Sequence, residues 1–157
     1  MRANVRYEAE GWGIGEVWLD GETLLWHELP RPATGRPADR PHPLAERMRA
    51  YFGGVPDAFD DVALDIEGYT AFQLAVVETL RRVPRGEVVT YGELAALAGY
   101  PSAQRAAGTV CAQNRFPLVV PCHRVVAANG IGGYGASGIE VKRRLLELEG
   151  VLLHVRA

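Results

Sequence analysis

The chain has 157 residues, 48% hydrophobic and 23% charged, enough for one compact unit or two small lobes around a buried core. No apolar run approaches a membrane span, the first residues lack a signal-peptide core, and two cysteines make no disulfide framework, so a cytoplasmic protein with free thiols is expected. The net charge of −2 hides a split: residues 1–68 carry 7 Arg and Lys against 13 Asp and Glu, residues 69–157 carry 10 against 6, and only the second half suits a polyanion.

In chain order, residues 13–19 and 22–29 flank Asp20-Gly21, the signal for a β-hairpin with a type I′ turn. Residues 30–43 hold five prolines and read as a loop. His42-Pro43-Leu44 then opens a helix with Leu44, Met48 and Phe52 on one face, stopped by Gly53-Gly54. The acidic run 57–65 leads to Ile66-Glu67-Gly68, the expected boundary between an N-terminal lobe (1–68) and a C-terminal domain (69–157). Thr70 with Gln73 forms a capping box for a helix through Phe72, Val76 and Leu80, stopped by Pro84-Arg85-Gly86. Thr90 with Glu93 repeats the device for a short helix through Ala98. Ser102 is expected to cap a third helix to about Gln113, across a Gly99-Tyr100-Pro101 turn. Two short helices around a glycine turn make a helix-turn-helix candidate, with an ordinary helical hairpin as the plainer reading. Its second helix carries Arg105 among small residues Ala103, Ala106, Ala107 and Gly108, which suits close approach of its backbone to a partner. The histidines His27, His42, His123 and His154 are scattered, so no metal site is expected.

The next stretch, Pro117-Leu118-Val119-Val120-Pro121-Cys122-His123-Arg124-Val125-Val126, organises the rest. Proline fixes the backbone ahead of Cys122 and pushes Val120 towards extended geometry, so the thiol arrives on a stiff segment. A histidine beside it offers a base, although neighbouring side chains diverge in extended chain and a direct contact needs a turn or a bridging water. Arg124 could raise the local potential and lower the thiol pKa. Cys111, mid-helix without a partner, reads as inert core. Residues 130–138 hold five glycines, which allow unusual dihedrals and close approach of a ligand. Ser137 and Glu140 are expected to cap a final helix over 140–150. Glu149 at its end reads most simply as a surface charge.

Pro121-Cys122-His123-Arg124-Val125, preceded by Asn114 and followed by Gly133-Tyr134 and Lys142, resembles the O6-alkylguanine-DNA alkyltransferases. The resemblance extends over residues 72–149 and includes Pro84-Arg85-Gly86, Thr90-Tyr91-Gly92-Glu93 and Arg105-Ala106-Ala107-Gly108. It implies an α+β fold: a variable N-terminal lobe with an antiparallel hairpin and a helix, and a mainly helical domain with a helix-turn-helix and an active-site loop. It implies double-stranded DNA as partner, a monomer, and no cofactor. It also implies a reaction: a damaged guanine is flipped from the duplex and Cys122 takes its O6-alkyl group irreversibly. His123 would deprotonate Cys122 through a water, with Glu149 orienting the imidazole and Tyr91 protonating the leaving guanine. Arg105 would fill the gap in the duplex, with Thr90, Tyr91, Ala106, Gly108 and Arg124 as further DNA contacts in the minor groove. Asn114 would tie the helix-turn-helix to the active-site loop. Pro117, Tyr134 and the following glycines would wall the pocket, and the Cys122 and Val125 carbonyls would read the guanine amine.

Three departures stand out. Arg115 occupies the usual proline position after Asn114. One extra residue between Tyr134 and Lys142 leaves open whether Gly135 or Ser137 faces O6. The N-terminal zinc ligands of some members are absent. Competing readings are a non-repairing alkyltransferase-like damage sensor, opposed by the presence of Cys122; a cysteine hydrolase using Cys122 and His123, which needs an oxyanion hole; and a plain helix-turn-helix regulator, which leaves the glycine segment unexplained.

Overall fold

Alternation of apolar and polar residues starts at the second residue of the chain. Val5, Tyr7 and Ala9 point inward while Arg2 and Glu8 are exposed, and strand β1 (Arg2–Ala9) pairs antiparallel with β2 (Gly13–Asp20). β2 pairs in turn with β3 (Thr23–Arg31), completing the expected hairpin and adding a strand to it. The computed structural model describes residues 1–32 and 42–152, so most of the expected proline-rich loop lies outside the described residues. Asp20 pairs with Thr23, which leaves Gly21-Glu22 as the two-residue turn, with a positive φ at Gly21 and not at Glu22. This is the φ pattern of a type II′ turn and corrects the type I′ expectation.

Helix α1 (Pro43–Phe52) starts where expected, with His42 Nδ1 accepting from the Leu44 N–H at 3.1 Å. It packs Leu44, Met48, Tyr51 and Phe52 into the core of the sheet, where Phe52 stacks on Tyr7 and meets Trp12. The acidic run has internal work: Asp57 and Asp61 both bind the Arg47 guanidinium, which also covers the Phe59 ring. It ends in a two-residue strand, β4 (Ala63–Leu64), parallel to β3. A first compact unit comprises Met1–Asp65 together with Arg115–Pro117. The division thus falls just before the expected residue 68, and a short segment from far along the chain joins the N-terminal unit.

The second unit runs from Ile66 to Asn114 and resumes at Leu118. Helices α2 (Ala71–Arg81) and α3 (Tyr91–Leu97) carry the capping boxes read from the sequence, Thr70 with Gln73 and Thr90 with Glu93. Helix α4 (Gln104–Ala112) does not carry its expected cap. Ser102 sits at φ +72 and Ala103 takes the cap position without a side-chain hydrogen bond. α3 and α4 pack on each other and on α2. Two-residue strands β5 (Val89–Thr90) and β6 (Val125–Val126) pair in parallel. That pairing is what positions the site, because α3 begins directly after β5 and the Cys122–Arg124 turn directly precedes β6. Helix α5 (Gly138–Leu148) follows a 3-10 turn at Gly135–Ser137. Ser137, at φ −75 and ψ −23, makes no capping bond; the turn already holds it in helical geometry, where the extended backbone of a cap residue is lost.

Candidate active site

Pro121 adopts φ −81 and ψ 64, and the Cys122 N–H donates back to the Val120 carbonyl at 2.8 Å, an inverse γ-turn. The cysteine is therefore delivered at a turn, not at the end of an extended run. Residues Cys122–Arg124 continue as a single 3-10 turn, closed by the Arg124 N–H on the Pro121 carbonyl at 2.9 Å. Three residues per turn send successive side chains in three directions. Cys122, His123 and Arg124 are all buried, yet each finds a different set of partners.

Cys122 is 6% exposed, and Asn114 Nδ2 donates to its sulfur at 3.1 Å and to the Val120 carbonyl at 2.9 Å. One amide thus ties the end of α4 to both the loop and the thiol, the link expected of Asn114. Burial pushes the Cys122 thiol up, while hydrogen bonds from Asn114 and Tyr134 and the charge of Lys142 pull it down. Arg124 has no part in that balance.

His123 is fully buried, with Nε2 3.0 Å from Glu149 Oε1. Burial lowers its pKa and the Glu149 carboxylate partly restores it. Neither ring nitrogen of His123 meets hydrogen-bond geometry among the described residues: Nε2 has the Glu149 carboxylate as its close charged neighbour, and Nδ1 has none. Arg124 grips Glu149 with two bonds, Nε to Oε1 at 2.9 Å and a terminal nitrogen to Oε2 at 2.7 Å, and its other terminal nitrogen donates to the Val83 carbonyl. Its charge is spent inside the protein, which corrects the expectation of Arg124 as a DNA contact. Glu149 is likewise no surface charge. Burial favours its neutral form, but the bonds from Arg124 and the neighbouring His123 outweigh this and hold its carboxyl well below the usual range. It caps α5 in a Schellman motif, with Gly150 at φ +82 and the Val151 N–H on the Leu146 carbonyl at 2.8 Å.

The Cys122 sulfur faces a cavity of about 440 Å³, walled by Tyr91 from α3, by Gln104, Arg105, Gly108, Cys111 and Ala112 from α4, and by Gly133, Tyr134 and Gly135 from the glycine segment. The structure so brings together Cys122, Tyr91, Arg105, Gly108, Tyr134 and Gly135 of the expected residues. Gly135, not Ser137, takes the wall position left open by the spacing. Val125 is buried in β6, Thr90 spends its hydroxyl capping α3, and Ala106 is exposed on α4 outside the wall. Pro117 lies in the first unit, outside the wall, with its carbonyl 2.7 Å from His27 Nδ1.

Two features, one in the wall and one behind it, escaped the sequence reading. Cys111 shares the cavity with Cys122, and burial and the neighbouring Cys122 push its thiol up to about 12, so the cavity holds two thiols. Lys142, fully buried, donates to the Gly133 carbonyl at 2.9 Å and places its Nζ 6.0 Å from the centre of the Tyr91 ring. Burial lowers its pKa to about 8. The spacing of α5, which puts Lys142 one turn before the buried Leu145 and Leu146, was the signal available for it. Among the described residues no group of His, Cys, Asp and Glu is arranged to hold a metal ion.

A buried thiol under an open cavity, with a neutral imidazole and an ionised carboxylate behind it, suits transfer of a group to sulfur. Comparison with known proteins agrees with that chemistry. Residues 71–151 match the family model of the 6-O-methylguanine DNA methyltransferase DNA-binding domain. A methylated-DNA–protein-cysteine methyltransferase of Methanopyrus kandleri is 47% identical over 111 residues, covering 71% of this chain and 82% of the relative. One from Shigella flexneri is 43% identical over 117 residues, covering 74% and 67%. The Mycobacterium tuberculosis protein solved in complex with DNA superposes with a TM-score of 0.77 at 37% identity, covering 93% of this chain and 91% of that one. The O6-methylguanine-DNA methyltransferase of Pyrococcus kodakaraensis gives 0.73 at 30% identity, covering 96% and 100%. Sequence, fold and the setting of the buried thiol converge, and the chain belongs to the O6-methylguanine-DNA methyltransferase family.

Proposed function

We infer that this protein repairs O6-alkylguanine in double-stranded DNA, as a single protomer in the cytoplasm, by moving the alkyl group onto Cys122. The observation that carries this reading is the Cys122 sulfur, held by Asn114 and lining the same cavity as the exposed Arg105 of α4. The O6 substituent of guanine cannot be reached inside the base stack, so the base is extruded into the cavity, and Arg105 takes its place in the duplex. The cavity volume lies within the roughly 300–1,000 Å³ range of small-molecule sites.

Burial sets the resting state. It raises Cys122 and lowers His123, so the pair rests as thiol and neutral imidazole. Attack therefore requires proton transfer from sulfur to His123, through a water to Nδ1, while Nε2 faces Glu149. The ionised Glu149 stabilises the imidazolium that forms. The S–C bond forms as the C–O6 bond breaks, the electron pair passes to the guanine, and Tyr91 supplies the proton that leaves it neutral. The product is a thioether, which has no leaving group for hydrolysis, so each molecule reacts once.

Intact-mass spectrometry after incubation with duplex containing O6-methylguanine, or with O6-benzylguanine, tests this. A single alkyl adduct on Cys122 is expected, with Cys122→Ser binding DNA but taking no alkyl group. Repeated turnover by an unmodified protein would overturn it.

A further inference from the structure

His27 and Tyr7 lie far from Cys122 in sequence, and nothing in the transfer chemistry uses them. Yet both are buried, at 2% and 4% exposure, and both are fully engaged. His27 Nδ1 is 2.7 Å from the Pro117 carbonyl, and Nε2 is 2.6 Å from the Tyr7 hydroxyl. A carbonyl only accepts, so Nδ1 carries the proton, Nε2 accepts, and the Tyr7 hydroxyl donates. This fixes His27 as one neutral tautomer, and burial agrees, lowering its pKa to about 4. The backbone adds a third bond, from the His27 N–H to the Arg115 carbonyl at 2.9 Å.

The sheet is shaped for this chain of bonds. Tyr7 in β1 faces Gly15 in β2, and a Cβ at Gly15 would lie 2.3 Å from the Tyr7 ring. Only glycine lets the ring cross β2 to reach His27 in β3. The far end of the clamped segment has its own anchor: Arg115 donates to the Asp65 carbonyl at 2.7 Å, approaches the Asp65 carboxylate at 3.7 Å, and lies over the buried Phe116 ring. The arginine that replaces the family's proline at this position is thus one jaw of the clamp.

What the clamp holds matters because of what the chain does on either side. Asn114, directly before the clamped residues, donates to the Cys122 sulfur. Leu118, directly after them, sits at φ +82, a left-handed conformation that a leucine adopts only when its surroundings impose it. From Leu118 only three residues lead to the Cys122 turn.

We propose that His27, supported by Tyr7, is a positioning residue for alkyl transfer: by holding Arg115–Pro117 it fixes both ends of the loop that sets Cys122 against Asn114. The donor nitrogen of His27 is the part that acts, and the imidazole never touches substrate. This rests on the alkyl-transfer reading, so the test includes a reaction that does not need it.

Four proteins are compared, the wild type, His27→Ala, His27→Asn and Tyr7→Phe, well below their unfolding temperatures. Three quantities are read: the single-turnover rate with O6-benzylguanine, the rate of Cys122 alkylation by iodoacetamide followed by peptide mass spectrometry, and affinity for undamaged duplex. His27→Ala is expected to slow transfer at least about tenfold, since small misplacements of reacting atoms cost on that order or more. It should change iodoacetamide alkylation of Cys122 as well and leave DNA affinity within about twofold of wild type. Asparagine keeps a donor near the Nδ1 position and should restore most of the rate. Tyr7→Phe keeps the ring and removes only the donor to Nε2, so it should fall between, and it carries the test should His27→Ala not fold. Equal rates for His27→Ala, or for Tyr7→Phe in its place, and wild type would overturn the proposal. So would a loss matched by DNA affinity, or an asparagine variant no faster than the alanine one. Failure of the wild type to take the benzyl group would sink the transfer reading instead, while the iodoacetamide rates would still report on the clamp.

Discussion

Glu149 is the residue on which the buried charges turn. Its carboxylate meets His123 at 3.0 Å and Arg124 at 2.7 Å, and both partners are buried with it. Glu149→Gln keeps the shape and strands the Arg124 cation, so we expect a loss of about 3–5 kcal/mol of stability, read by denaturant unfolding, together with slower alkyl transfer. A loss under about 1 kcal/mol would show the network to be loosely held. The buried histidines set a pH dependence. His27 titrates near 4 in the folded protein and at about 6.5 unfolded, so the unfolded chain binds the extra proton first. Stability is then full above about pH 7 and falls as the pH drops towards 4, by about 3 kcal/mol for this residue. His123, lowered in the same direction, adds to the fall. Unfolding free energies from pH 7.5 to 4.5 should decline less steeply for His27→Asn than for wild type; parallel curves would remove His27 from the account. These residues were unequally legible. Cys122 and His123 declare themselves by adjacency, whereas Glu149 looks like any helix-end carboxylate until Arg124 is seen to turn inward. His27 gave no sign, because its partner lies 90 positions along the chain.

Elements were readable where their determinants are local. The capping boxes at Thr70 and Thr90 need only residues three apart, and both formed as read. β1 carries a local signal too: Ala3, Val5, Tyr7 and Ala9 alternate with polar residues throughout. The expected caps at Ser102 and Ser137 failed for a shared reason. A serine hydroxyl caps a helix only from extended backbone, and the neighbouring chain decided otherwise, by a left-handed residue at Ser102 and a preceding 3-10 turn at Ser137. The two readings of Ser102 differ in sign. A cap serine changed to glycine costs a few tenths of a kcal/mol, whereas relief of a left-handed residue gains about 1 kcal/mol. Thermal melts of Ser102→Gly should therefore shift upward, and a downward shift would restore the capping role.

At the scale of the molecule, charge and cavity separate the two units. Several acidic residues of the first half are engaged with its own arginines, Asp57 and Asp61 with Arg47 and Glu46 with Arg49, while the exposed Arg105 stands at the cavity on α4. Affinity for duplex should fall with added salt, as counterion release requires. Arg105→Ala should slow repair of alkylated duplex by about tenfold or more while leaving the reaction with free O6-benzylguanine within about twofold, since only the duplex must be held open. Equal losses on both substrates would place Arg105 in the pocket chemistry instead.

The sequence by itself determined the pairing of a cysteine with a histidine and an arginine in the Cys122–Arg124 stretch, the helices that carry capping boxes, and the family, because each depends on residues adjacent or a few positions apart. Tertiary structure decided which charges are buried, which glycines line the cavity with the thiol, and that three residues after Asn114 belong to the N-terminal unit. Each of these depends on residues brought together only by folding: Arg124 bonded to Glu149, Gly133 and Gly135 around one cavity with Cys122, and His27 beside Pro117. A burial or a hydrogen bond between distant residues leaves no periodicity or spacing in the chain.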